Sequence, residues 1–273
     1  MFHTIWHPSG QGSISGLVIQ AVWRGSRWLK RREKQSSVVG PLAILCVIVA
    51  WLLLIVIGWT LIYWPHMAEG FSFSSGLVPS QRSDLLDSLY VSFVTVATLG
   101  YGDIVPTFTW LRLAAPLEAL IGFALLTAAV SWILQIYPAL ARRRALAIRL
   151  ALLERSGAAE ALSTQDSSAA STLLHSLAGE LVQVRVDLTQ YSETYYFREG
   201  DPNASLPAKL PYLLQLARAA EESARDDLRL AGRVVSEAVD DYAYLLGQQF
   251  VARDDSSPTV LARYAADHGY GGA

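Results

Sequence analysis

Residues 95–103 read Thr95-Val96-Ala97-Thr98-Leu99-Gly100-Tyr101-Gly102-Asp103. Just before them, Leu85 to Ala97 is largely apolar but too short to cross a bilayer. Ser83 is a candidate N-cap, and Asp84 and Asp87 fall in a first turn, where carboxylates suit the positive end of a helix. The pattern predicts a short helix from about Ser83 to Ala97. Farther out lie two longer apolar runs. Val38 to Trp64 is 27 residues without a charge, and Leu113 to Ala141 is 29 residues with one, Glu118. At about 1.5 Å per residue the first run makes a helix of roughly 40 Å, enough to span with some tilt. The quoted stretch therefore sits between two spans. The short helix must enter the membrane and the chain must come back out. Irregular backbone at that depth is tolerated where protein buries it or where it lines a watery path.

The composition agrees. The chain has 273 residues, 52% hydrophobic and 17% charged, with a formal net charge of −2. One cysteine, Cys46, inside an apolar run excludes a disulfide scaffold. The near-neutral charge argues against nucleic acid as a partner, and the apolar content excludes disorder throughout. The first span begins too far from Met1, and is too long, to be a cleaved signal peptide. Arg24, Arg27, Lys30, Arg31, Arg32 and Lys34 precede it, and Arg142, Arg143, Arg144 and Arg149 follow the second. Between the spans only Arg82 and Arg112 are basic. The positive-inside rule then expects both termini in the cytoplasm. Trp64 and Trp110 mark the outer interface and Trp132 the inner one. The expected organisation is a basic N-terminal segment (1–37), a two-span region (38–141), an extension and linker (142–170) and a helical region (171–273). Within the first, Ile14 to Trp28 reads either as an amphipathic surface helix or as a flexible basic flank.

From Ser83 to Pro106 the chain closely resembles the pore-loop potassium channels, whose pattern is Thr-x-x-Thr-x-Gly-Tyr-Gly. The flanking spans match by position. The expected fold is an all-α membrane protein: two transmembrane helices with a re-entrant pore helix and selectivity filter, then a helical cytoplasmic C-terminal domain. The implied activity is passive conduction of potassium, with no enzyme chemistry and no organic cofactor. A dehydrated potassium ion takes about eight oxygen ligands, which rings of backbone carbonyls from four chains can supply. The implied partners are thus membrane lipid and three further copies of the chain, a homotetramer, in a bacterial cell membrane. Inward-pointing carbonyls on successive residues need an alternating backbone, and Gly100 and Gly102 are permissive positions for it. By resemblance, potassium binds at the carbonyls of Thr98, Leu99, Gly100 and Tyr101, with Gly102 completing the filter and Thr98 adding a hydroxyl ring. Tyr90, Val94, Thr95 and Asp103 are the implied filter supports. Leu99 departs from the usual Val or Ile. Val94 stands where some relatives carry a buried glutamate. Tyr90 stands where relatives have an aromatic residue able to bond the aspartate after the filter, so the resemblance implies a Tyr90–Asp103 hydrogen bond. The alternatives are a non-selective cation channel of the same architecture, or a membrane-anchored signalling or scaffold protein whose tail is the active part.

In the second span Gly122 is either a hinge or a small residue that lets helices approach. Thr127, Ser131 and Gln135 repeat every four residues on one face and either line a water-filled cavity or bond between helices. Glu118, ionisable within a span, is a functional candidate without an evident partner. Pro138 is expected to end or kink the helix.

Residues 151–273 carry 10 basic and 18 acidic residues, a formal −8. Ser156 to Ala170 reads as a linker. Leu174, Leu177, Leu181, Val184, Leu188, Tyr191 and Tyr195 form a heptad seam. A break follows from Glu199 to Pro211. A long second helix is then expected from about Tyr212 to Phe250, with a seam of Leu228, Ala231, Val235, Ala238, Tyr242 and Leu245. The two make an αα-hairpin that packs on itself or joins its copies. No glycine-rich phosphate loop is evident. His175, His3 with His7, the Asn203-Ala204-Ser205 acceptor and the tail Gly269-Tyr270-Gly271 carry no functional expectation.

Overall fold

A computed structural model describes residues 39–76, 84–164, 168–252 and 256–270. The N-terminal segment with its surface-helix reading, His3 and His7, the Ser83 cap, Arg82 and Gly271 lie outside the described residues. The protein is an all-α membrane protein with two helices long and apolar enough to cross a bilayer. Residues 45–134 form one compact unit. Residues 135–273, with the start of the first helix, form the other.

The first unit opens with α1 (Val39–Tyr63), which exposes Leu45, Val49, Leu53, Leu54, Ile57 and Leu61 while burying Val47 and Val56. A helix this apolar on its outward face is suited to lipid. A 3-10 turn (Trp64–His66) carrying Pro65 and a single turn of helix, α2 (Met67–Gly70), end it. Next come β1 (Phe71–Phe73), α3 (Asp84–Val96), β2 (Ile104–Pro106) and α4 (Thr109–Arg155). β1 and β2 pair antiparallel with Phe71 opposite Pro106 and Phe73 opposite Ile104, a small sheet not expected from the sequence. Tyr63, Met67, Phe71, Val91, Ile104 and Leu111 meet in one core, so each α-helix and strand of this unit contributes an anchor to it.

α4 corrects the expectation that Pro138 ends the second helix. The helix runs unbroken for 47 residues through that proline. Proline removes one ladder bond, but Ala, Leu and Arg dominate residues 139–155 and have high helix propensity. The buried positions Ile136, Ala139, Leu140, Arg143, Leu146, Ala147, Leu150 and Ala151 keep helical spacing straight past it.

The second unit also departs from expectation. The linker holds a short helix, α5 (Ala158–Thr164), and α6 (Ser168–Gln190) starts inside it. The break ends earlier than Pro211. α7 (Leu206–Glu221) places Pro207 in its first turn, where a missing N–H is harmless, and Pro211 within the helix. The single long helix is in fact two, α7 and α8 (Asp226–Gln249), reversing at residues 222–225. Asp226 and Asp227 in the first turn of α8 are the start signal that the continuing apolar stripe obscured. α9 (Ser257–Asp267) was not anticipated. α8 packs on both α6 and α7, so the hairpin folds on its own chain. Leu174, Leu177, Leu181, Val184 and Leu188 are buried, as are Leu228, Ala231, Val235, Tyr242 and Leu245, but α6 ends at Gln190, so Tyr191 and Tyr195 of the expected seam fall beyond it, Tyr195 in a 3-10 turn. Ala238 is only partly buried and Val239 takes its place. That is the drift of a 3.6-residue helix away from a strict heptad.

Candidate functional site

α3 delivers the chain to residues 98–102. Beyond its last residue, Ala97 N donates to Phe93 O at 3.0 Å, Thr98 N to Thr95 O at 2.9 Å and Leu99 N to Val94 O at 2.9 Å. These bonds use the amides and turn the following backbone away from the helix. The dihedrals then alternate. Thr98 has φ of 58°, Gly100 of 56° and Gly102 of 77°, whereas Leu99 and Tyr101 have negative φ. The two glycines take this conformation without penalty. Thr98 does not, because a left-handed β-branched residue is rare and strained. Among the described residues no hydrogen bond reaches the carbonyl of Thr98, Leu99, Gly100 or Tyr101. A Cβ at Gly100 or Gly102 would meet nothing within 4 Å. Backbone conformation rather than space within this chain is therefore what calls for glycine. The result is a short run of unengaged carbonyls on a backbone that repeats every two residues.

Both ends of the run are fastened. Tyr90 Oη donates to Asp103 Oδ2 at 2.7 Å, the bond expected for that pair. Ser74 N donates to Asp103 O at 2.8 Å, and Thr107 N to Gly70 O at 2.8 Å, extending the β1–β2 ribbon on both sides. Gly70 has little room for a side chain, since a Cβ there would lie 2.9 Å from Leu111 Cδ1. The ribbon and Gly70 were not read from the sequence. Three-residue strands carry too little alternation to be recognised.

A second arrangement lies behind α3. Glu118 is fully buried, with Ser92 Oγ 2.5 Å from Oε1 and Tyr63 Oη donating to Oε2 at 2.6 Å. Ser92 Oγ also lies 3.2 Å from the Val56 carbonyl. One carboxyl thus ties α4 to α3 and to α1. This answers the open question of its partner. The available signal was a lone acid in a span together with a serine and a tyrosine in apolar surroundings. One turn on, a Cβ at Gly122 would lie 2.3 Å from Val96 O and 2.7 Å from Val96 Cγ2. Of the two readings of Gly122, close packing is the one this contact bears on. Val94 is buried, and Thr95 accepts the Thr98 amide.

The polar stripe on α4 is less uniform than its spacing. Thr127 Oγ1 donates to Phe123 O of its own helix at 2.9 Å, and Ser131 is exposed. In the second unit, Gln135 Oε1 accepts from Tyr191 Oη at 2.7 Å. Beyond it, arginines meet the helical domain. Arg142 bonds both oxygens of Asp187 at 2.7 Å, Arg144 bonds Glu199 at 2.7 Å, and Arg149 pairs with Glu180. Arg143 is buried and donates to Thr194 O at 2.5 Å and Phe197 O at 2.7 Å. Among the described residues no cluster of three or more His, Cys, Asp or Glu is placed to hold a metal ion. His175 is exposed, and its Nδ1 lies 2.8 Å from Ser171 O on its own helix.

Comparison with known proteins gives a consistent result. Residues 46–137 match a family described as "Ion channel". "Uncharacterized membrane protein YdjJ" of Bacillus subtilis (strain 168) is 29% identical over 150 residues, 54% of this chain and 42% of that protein. "Protein LctB" of Bacillus caldotenax is 36% identical over 85 residues, 29% of this chain and 61% of that protein. The chain spans about half the length of the curated relatives it matches. No solved structure gives a significant match.

Proposed function

We propose that residues 46–137, which match the ion-channel family, form a two-span pore-loop domain, and that the protein is a potassium-selective channel working as a homotetramer. The observation that carries this reading is the left-handed φ at Thr98, Gly100 and Gly102 with the intervening carbonyls unengaged. Four such runs around an axis offer stacked rings of oxygens that replace the hydration shell of a potassium ion. Tetramer formation also answers a question of surface. Phe93, Leu99, Tyr101, Leu117, Leu120 and Phe123 are exposed in one chain, and in a tetramer lipid and neighbouring copies cover such a surface.

In this mechanism a hydrated ion approaches the mouth, where Asp103 from each chain concentrates cations. It sheds water as carbonyls of Tyr101, Gly100, Leu99 and Thr98 take over in turn. Several adjacent sites of similar affinity let an incoming ion displace one ahead. The C-terminal end of α3 carries the negative end of the helix dipole and favours a cation beyond the filter. Thr127 and Ser131 face the water-filled cavity there. The arginines at 142–144 and 149 set the topology, with both termini in the cytoplasm of a bacterial cell.

Flux from liposomes holding the purified chain tests this. Potassium-selective flux, blocked by barium and lost in Gly100→Ala with the tetramer intact, is expected. Equal sodium and potassium flux would overturn the selectivity and leave a non-selective cation pore. Absence of flux in both gradients favours an anchored scaffold.

A further inference from the structure

Glu118 and Gly122 lie one turn apart on α4, and Ser92 and Val96 lie one turn apart on α3. Glu118 joins Ser92 by a hydrogen bond at 2.5 Å, and Gly122 meets Val96 in a backbone contact too close for any Cβ. The two helices are thus registered by two rungs with the same four-residue spacing. The upper α3 rung is half a turn or so from Val94 and Thr95, whose carbonyls catch the amides of Leu99 and Thr98. Movement of α4 in this register therefore bears on the residues that launch the 98–102 run.

We propose that Glu118 is a positioning residue for the filter: with Ser92 and Tyr63 it holds α3, and through α3 the carbonyl run, in its conducting geometry. This rests on the channel reading above. Hydrogen-bond accounting says in what form it acts. The Ser92 hydroxyl has one hydrogen and two acceptors within reach, the Val56 carbonyl and Glu118. Both contacts are made together when the carboxyl itself supplies a hydrogen to Ser92 while accepting from Tyr63. Glutamine offers the same donor and acceptor in nearly the same volume. A leucine offers neither: Tyr63 loses its acceptor, and Ser92 keeps only the Val56 carbonyl.

The test compares wild type, Glu118→Gln and Glu118→Leu as full-length chains in liposomes, with tetramer content measured alongside. Glu118→Gln is expected to keep the potassium-to-sodium flux ratio within about twofold. Glu118→Leu is expected to lower it at least about tenfold, the scale of a buried polar group left unpaired. A wild-type ratio in Glu118→Leu, or an equal fall in Glu118→Gln, overturns the proposal. Should Glu118→Leu fail to assemble, Ser92→Ala and Tyr63→Phe each remove one hydroxyl, and an unchanged ratio in both overturns it. Wild type without potassium preference would overturn the potassium-selective reading, and with it this inference, a result distinct from a defect confined to the variants.

Discussion

Tyr90 and Asp103 sit thirteen residues apart and meet at 2.7 Å across the end of the 98–102 run. The phenol is the donor, so Tyr90→Phe deletes one bond to a carboxylate and little volume. Such bonds contribute about 1.5–3 kcal/mol. Potassium flux in Tyr90→Phe is expected to decay faster than in wild type after it is started, and unchanged decay would show that the bond does not brace the mouth. This pair was legible because both residues flank a recognisable motif. Thr98 was legible as a residue but not as a conformation, since nothing in a threonine announces a positive φ. Glu118 was legible as an oddity, an acid in an apolar span. Its partners were not, because Ser92 and Tyr63 lie 26 and 55 residues away and only the fold brings them together. Short-range chemistry can be read from spacing, whereas contacts between three helices depend on packing that spacing does not encode.

At the scale of elements the same division holds. α1, α3 and the membrane part of α4 announce themselves by apolar length and first-turn carboxylates. The ends of helices were harder. Pro138 lies within a strong helix former's territory and is overridden, while the reversal at 222–225 has neither glycine nor proline to mark it. Past that reversal, the close approach of the two helices is at Gly232. A Cβ there would lie 2.8 Å from the Ala217 carbonyl oxygen and 3.0 Å from Ala220 Cβ, so α7 and α8 cross closely at this point. Gly232→Val puts a branched side chain into a gap without room and is expected to cost about 1–3 kcal/mol. Thermal unfolding of the full chain in detergent measures it. A transition at the wild-type temperature would mean that the crossing relaxes freely.

At the scale of the whole molecule, the helical domain is tied together around residues 191–199. Arg143 holds the carbonyls of Thr194 and Phe197, Arg198 donates to Asp267 O, and Tyr270 donates to Glu199 O. His268 is buried here with its ring nitrogens 3.0 Å from Tyr264 O and 2.8 Å from Tyr195 O. Burial and the nearby Arg143 charge depress its pKa to about 4, against the opposing pull of the two carbonyls and Asp267. In the unfolded chain the imidazole takes a proton near its ordinary pKa of about 6.5, whereas the folded domain resists until about 4. Stability contributed by neutral His268 is therefore full above pH ~6.5 and declines as pH falls toward 4, by about 3 kcal/mol in all. Melting temperature measured across that window is expected to fall more steeply in wild type than in His268→Gln, and parallel curves would refute the assignment. The arginine grip has one more consequence, for anyone who would exchange parts between proteins of this kind. Within the second unit, Arg142, Arg143, Arg144 and Arg149 of α4 find their partners on residues 180–199, and the buried face of this part of α4 begins at Ile136. A cut at Gly157 looks like a natural seam, yet it strips these four cations of their partners at once. A transplant that works must carry the graft from Ile136 onward, donor helix and donor domain as one piece.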